Sequence, residues 1–241
     1  INNTHTEVVF PPQIENSDET WRHPQKVEFY VDFETVSDLK DDFANVPESG
    51  GTPLIFMIGC GHLEDDKWEW KCFTTDRLTE VAEAVIIDQW MDHMYEVQNR
   101  IDPAGYTPTV YHWSHAEVST FDSAFNSAKN RHADKEWPPL NWYDFLQEVI
   151  KKEPVVVKGA FGFGLKAIAG SLNKKGLIET SWDAGPTDGL GAMVGAWWAD
   201  DEADRQGITM NEIPMVKEIS QYNEVDCKVM MEIIEYLRKN H

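Results

Sequence analysis

The stretch Val27-Glu28-Phe29-Tyr30-Val31-Asp32-Phe33-Glu34-Thr35-Val36 limits the fold more than any other part of the chain. Val27, Phe29 and Val31 alternate with the less apolar Glu28 and with Tyr30, the period of a β-strand entering a core. Residues two apart on a strand project from one face, so Asp32 and Glu34 share a side. Two carboxylates on a buried face repel each other and lose hydration, which is costly unless a cation lies between them. A divalent metal, Mg²⁺ or Mn²⁺, satisfies that demand. A solvated strand edge with no ion is the alternative, and the pair alone does not choose between them.

The chain has 241 residues, enough for one sizeable domain or two small ones, and its 41% hydrophobic content with 12% aromatics is that of a globular protein. No apolar run approaches the roughly 20 residues of a membrane span, and no basic-then-apolar leader opens the sequence. A soluble protein is expected, in the cytoplasm or, for a viral protein, in the host cytoplasm. The opening Ile1 suggests a piece of something longer. Cys60, Cys72 and Cys227 form no C-x-x-C pair and are odd in number, which suggests neither a zinc site nor a disulfide scaffold and fits a reducing compartment. A net charge of −21 argues against a broad basic surface coating nucleic acid. One basic track runs against this balance: Lys151, Lys152, Lys158, Lys166, Lys174 and Lys175 face the single acid Glu153. It reads equally as a phosphate track or a solvated helix face.

Residues 1–24 are polar, carry Pro11, Pro12 and Pro24, and read as an N-terminal extension with Val8 to Phe10 touching the body. Beyond the first strand and a turn-rich loop, Pro53 to Gly61 reads as a buried strand and Trp68 to Thr74 as an alternating one, joined by the turn Glu64 to Lys67. Three consecutive antiparallel strands follow from this. Thr75 or Asp76 is placed to cap a helix running to about Asn99, after which Thr109 to Trp113 reads as a fourth strand and Ala116 to Arg131 as a helix. Leu140 to Lys152 reads as a short helix, Val155 to Val157 as a strand or linker, and Leu165 to Leu172 as a helix behind a loop containing Gly159, Gly162 and Gly164. Asp188 to Ala199 reads as a helix followed by an acidic loop, Asp200 to Asp204. The last helix, Met215 to Lys239, carries Tyr222, Asp226, Val229, Ile233 and Leu237 along one face, and an acid there calls for a partner. A meander of strands followed by alternating helix and strand indicates an α/β layer fold.

Two further segments bring acids toward the first pair. In Val110-Tyr111-His112-Trp113-Ser114-His115-Ala116-Glu117 a strand ends, a turn follows, and Glu117 stands near a helix start. In Tyr222-Asn223-Glu224-Val225-Asp226 the tyrosine and aspartate lie i, i+4 on one helix face. With these in place the chain resembles the DnaQ-like (DEDD) exonuclease superfamily. Asp32-Phe33-Glu34 matches its first motif, Asp-x-Glu ending the first strand. His112 to Glu117 matches the second, with Trp113 in place of Asn and Glu117 in place of Asp, and Tyr222 to Asp226 matches the third motif of the tyrosine-type branch. The likeness is nearest to the YprB-like, or RecB-associated ribonuclease H-like, nucleases, through Tyr111-His112, Leu165 to Ala169, Gly189 to Met193 and Tyr222 to Cys227. It spans roughly residues 25–240.

The resemblance implies an α/β, ribonuclease H-like mixed sheet, an antiparallel meander then parallel strands, flanked by helices and occupying residues 25–241. It implies a 3′-to-5′ exonuclease hydrolysing DNA or RNA with two Mg²⁺ or Mn²⁺ ions. Asp32 would bridge the ions, Glu34, Asp226 and Glu117 would complete the ligands, and Tyr222 would orient or help deprotonate the attacking water. Lys158 and Lys166 are the preferred phosphate contacts, and Trp142, Phe161 and Phe163 the aromatics available for stacking, with core packing as their alternative. Asp144 reads either as a further acid near the site or as a helix-surface residue, and His112 and His115 as structural histidines ahead of metal or phosphate contacts. The expected partner is a single-stranded DNA or RNA end, with a tethered polymerase or helicase module as a further possibility. Two rival readings stand beside this: a catalytically inactive nucleic-acid-binding or scaffolding domain, and a structure-specific endonuclease using the same carboxylates.

Overall fold

The computed structural model of the chain describes residues 7–15, 19–37, 53–113, 120–182 and 189–241. Its strands are β1 (Val9–Phe10), β2 (Glu28–Val36), β3 (Leu54–Glu64), β4 (Lys67–Thr74), β5 (Thr109–His112), β6 (Asn141–Asp144) and β7 (Val156–Val157). Its α-helices are α1 (Glu80–Ile101), α2 (Thr120–Arg131), α3 (Leu165–Asn173), α4 (Gly189–Gln206) and α5 (Pro214–Asn240). Five strands form one mixed sheet in the order β4-β3-β2-β5-β6, with β2, β3 and β4 antiparallel and β2, β5 and β6 parallel. The α/β class, the three-strand meander and the parallel fourth strand agree with the sequence pattern.

Alternation along β2 assigns its two faces. Val27, Phe29 and Val31 pack with Ile86, Ile87 and Trp90 of α1 and with Ala124 and Phe125 of α2. Tyr30 faces the other way, into a cluster with Tyr111, Tyr143, Ile168 of α3, and Val229, Met230, Ile233 and Leu237 of α5. Each such aliphatic side chain, taken fully out of water, contributes about 1.5–3 kcal/mol. Asp32 and Glu34 continue the Tyr30 side and therefore look toward α5.

Residues 141–152 depart from the expected helix. Asn141–Asp144 is a strand, with Val110 level with Trp142 and Tyr111 with Tyr143, and only Leu146–Lys151 turns helically, with π-type bonding. Period-two packing decides it: Trp142 joins the α1 side and Tyr143 the α5 side. Helix α1 also starts later than expected, capped by Thr79, whose side chain accepts from Ala82 N at 3.2 Å. Asp76 is engaged elsewhere, accepting from Asn211 Nδ2 at 2.9 Å. Helix α4 runs straight through the acids expected to form a loop. Ala196, Ala199 and Ala203 carry its buried stripe onward, while Arg77 meets Asp204 Oδ1 at 2.8 Å and the Asp200 carbonyl at 2.8 Å.

Residues 7–15 and 19–24 of the N-terminal stretch are integrated with the body. β1 pairs antiparallel with β7, Ile14 and Trp21 are fully buried, and Trp21 meets Phe145 edge-on at 5.4 Å. Two buried ion pairs brace the layers. Glu83 of α1 accepts from Ile55 N at 2.7 Å and from Arg131 of α2 at 2.8 and 2.9 Å. Arg238 of α5 forks onto Glu28 of β2 through two bonds of 2.8 Å, with Tyr30 and Tyr111 hydroxyls completing the network. Breaking either pair on one side would strand a buried charge, at a cost of about 3–5 kcal/mol. Among the described residues no helix is long and apolar enough to cross a membrane.

Candidate metal centre

Asp32 stands at the middle of β2 and Glu34 toward its carboxyl end, and Asp226 comes down from α5 to meet them. One oxygen from each of the three lies within 4.8 Å of the others. Asp32 is partly buried, and Glu34 and Asp226 are buried. Sequence separation is large, so this meeting depends on how closely α5 approaches the sheet. Gly59 of β3, level with Asp32, makes that approach possible. A Cβ at Gly59 would lie 1.7 Å from Asn223 Oδ1, so any side chain there would displace the Asn223 carboxamide.

Asn223 uses this proximity. Fully buried, it donates from Nδ2 to Asp32 Oδ2 at 2.9 Å and to the Asp32 carbonyl at 3.3 Å. A second orienting donor, Trp182 Nε1, reaches Asp226 Oδ1 at 3.0 Å. Sequence reasoning quoted Asn223 only as part of a motif and missed Trp182. The Asn223 role was legible in the one-residue step from Tyr222 together with a glycine inside the apolar run Leu54 to Cys60. Nothing local to Trp182 marks it.

The electrostatics follow from burial. Burial first, then the charges of Asp226 and Glu34, hold the Asp32 carboxyl well above the usual carboxylate range. Burial and then Asp226 push Glu34 up to about 8, and burial raises Asp226 to about 7. Lys166 of α3 acts in the opposite sense on all three carboxylates. Its ammonium sits 4.6 Å from the centre of the Tyr222 ring, a cation–π contact that joins α3 to α5 beside the acids. Three oxygen donors on a water-poor strand face, under-neutralised by one lysine, suit a hard divalent ion. Asp32, Glu34 and Asp226 are the residues that could hold one.

Of the expected site residues, the fold thus brings together Asp32, Glu34, Asp226, Tyr222 and Lys166. Glu117 and His115 lie outside the described residues. The strand leading to Glu117 is in place, because β5 runs parallel to β2 with Tyr111 level with Tyr30. Trp113, at the position of the expected Asn, is buried and donates from Nε1 to the Phe163 carbonyl at 3.2 Å. Phe163 packs partly into the core, whereas Phe161 is 99% exposed. Lys158 sits at the start of the same loop, its backbone N–H bonded to Val8 O at 2.8 Å. Asp144 ends β6 and accepts from Gln147 N at 3.1 Å, the role of a turn cap. His112 is buried and meets Trp142 edge-on at 5.5 Å, as a structural histidine would.

No protein-family profile matches the chain, and no curated protein is similar to it.

Because outer hydrogen-bond partners set ligand orientation, Asn223→Ala is expected to weaken divalent-ion binding about 10–100-fold. Calorimetric titration with Mn²⁺ checks this, and unchanged affinity would remove Asn223 from the site.

Proposed function

We propose that the chain is a divalent-metal-dependent nuclease of ribonuclease H-like fold that hydrolyses phosphodiester bonds from the 3′ end of DNA or RNA. The observation that carries this reading is the convergence of Asp32 and Glu34 from β2 with Asp226 from α5, within 4.8 Å of one another. The strand order β4-β3-β2-β5-β6, a meander continued by parallel strands, supports the fold assignment. The 3′-to-5′ direction comes from the motif resemblance.

A divalent ion bound there supplies Lewis-acid polarisation of the phosphodiester and neutralises its charge. The protein's own groups do the remainder. Asn223 and Trp182 fix the orientation of Asp32 and Asp226. Tyr222, one helical turn before Asp226, would orient the attacking water through its phenol. Lys166 offers the phosphate a cation on the α3 side of the acids. Glu117, four residues beyond Trp113 in sequence, is the expected fourth carboxylate.

One observation favours a second reading, a binding domain without turnover. Trp113 is committed to packing and to the Phe163 carbonyl, so the second motif has a structural use here. An assay on 5′-labelled single-stranded DNA, duplex DNA and RNA, with Mg²⁺, Mn²⁺ or EDTA, separates the two. A ladder shortening stepwise from the 3′ end and abolished by EDTA is the expected result. Binding without cleavage in either metal would select the second reading, and discrete internal cuts would replace exonuclease with endonuclease.

A further inference from the structure

We propose that the glycine-rich loop 158–164 is a landing platform for a single-stranded nucleic-acid end, with Phe161 stacking on an unpaired base and Lys166 taking the neighbouring phosphate. This rests on the nuclease reading above and names the substrate form it would take.

Phe161 is the most exposed large apolar side chain among the described residues, at 99%. Its exposure is built in. Gly159 and Gly162, at φ of 98° and 113°, bend the backbone on either side of it through the left-handed region that side-chain-bearing residues avoid. The loop is also held firmly. Lys158 N donates to Val8 O at 2.8 Å, Ala160 N to Val157 O at 3.0 Å, and the Phe163 carbonyl accepts from Trp113 Nε1 at 3.2 Å. Ala160 and Phe163 pack against the core on both sides of the tip. The ring therefore stands in water on an anchored backbone, with little ordering left to lose when a partner arrives.

Charge selects the partner. Among the described residues none of the other well-exposed rings, Phe10, Tyr95, Tyr106 and Trp198, has a lysine within five residues in sequence. Phe161 lies between Lys158 and Lys166, inside the one lysine-rich stretch of a chain of net charge −21. Lys166 in turn sits on the Tyr222 ring and acts on all three carboxylates, so a cation adjoining the acids lies five residues beyond Phe161 in sequence. Every unpaired base offers a π-face to such a ring regardless of sequence. A duplex hides those faces, and its dense phosphate charge is repelled by a chain of net charge −21.

The test is fluorescence anisotropy of the full chain with labelled short single strands of DNA and RNA and a blunt hairpin duplex. Ca²⁺ replaces Mg²⁺ so that strands are held without turnover. Phe161→Ala is expected to weaken single-strand binding about tenfold, with Phe161→Trp restoring it and Mn²⁺ affinity by calorimetry unchanged in both. Equal single-strand affinity for Phe161→Ala and the unaltered chain, or tighter binding of the duplex than of the strand, overturns the platform and leaves the nuclease reading intact. If the unaltered chain neither binds nor cuts any nucleic acid while still taking up Mn²⁺, the nuclease reading falls and the platform with it.

Discussion

Asp32→Asn is expected to melt at a higher temperature than the unaltered chain in EDTA and to lose metal-dependent hydrolysis. The two effects have one cause. Asp32, Glu34 and Asp226 form a cluster of like charge whose members are each raised from the ordinary carboxylate range, first by burial. An amide at residue 32 replaces an acid whose charged form the buried cluster disfavours, and it keeps an acceptor for Asn223 Nδ2, which now reaches Asp32 Oδ2 at 2.9 Å. Relief of about 1 kcal/mol corresponds to roughly 2–4 °C in a chain of this size. Under the proposed function the same substitution would remove one of the three candidate metal ligands, and loss of several kcal/mol of transition-state stabilisation would lower the rate about 10³-fold. Thermal denaturation in EDTA and the cleavage assay in Mg²⁺ read the two halves separately. A variant that is both less stable and fully active would refute the metal-centre assignment.

The second large effect is a dependence of stability on pH that reverses on adding metal. The folded-state values of Glu34, about 8, and Asp226, about 7, exceed the unfolded carboxylate value. Such groups contribute stability that is whole below the unfolded value and is lost as pH rises through the folded one. The metal-free protein should therefore lose stability progressively between about pH 4.5 and 8, by a few kcal/mol in total, or roughly 5–10 °C in Tm. A divalent ion binds the deprotonated acids, so its affinity rises over the same interval and its presence offsets the loss. Melting curves from pH 5 to 8.5, in EDTA and in saturating Mn²⁺, should diverge as pH increases. Parallel curves would mean that the three carboxylates do not titrate as a buried cluster.

How much of this was legible depended on whether the deciding contact was local. The period-two run of β2 and the three- and four-residue spacing of α5 carry their own instructions, and with them Asp32, Glu34, Tyr222 and Asp226. Trp142-Tyr143-Asp144-Phe145-Leu146 suits a helix as well as a strand by local pattern. Its pairing with Val110 and Tyr111, some thirty residues earlier, decides the matter. The acids of α4 looked like a loop because their cation, Arg77, lies more than a hundred residues away. Trp182 was illegible for the same reason, its partner Asp226 being 44 residues onward. The exposure of Phe161 was suggested by its flanking glycines, while the anchoring of the Phe163 carbonyl by Trp113, fifty residues earlier, was not.

The fork between Arg238 and Glu28 sets the rotational phase of α5. Arg238 lies twelve residues beyond Asp226, about 18 Å along the helix axis at the usual rise. Two parallel bonds of 2.8 Å allow little roll about that axis, and a helix of this length transmits the setting as a rigid rod. A slip of one residue would turn Asp226 by about 100° and aim its carboxylate away from β2. The aim of the Asp226 carboxylate is thus indexed by an ion pair about 18 Å farther along the same helix.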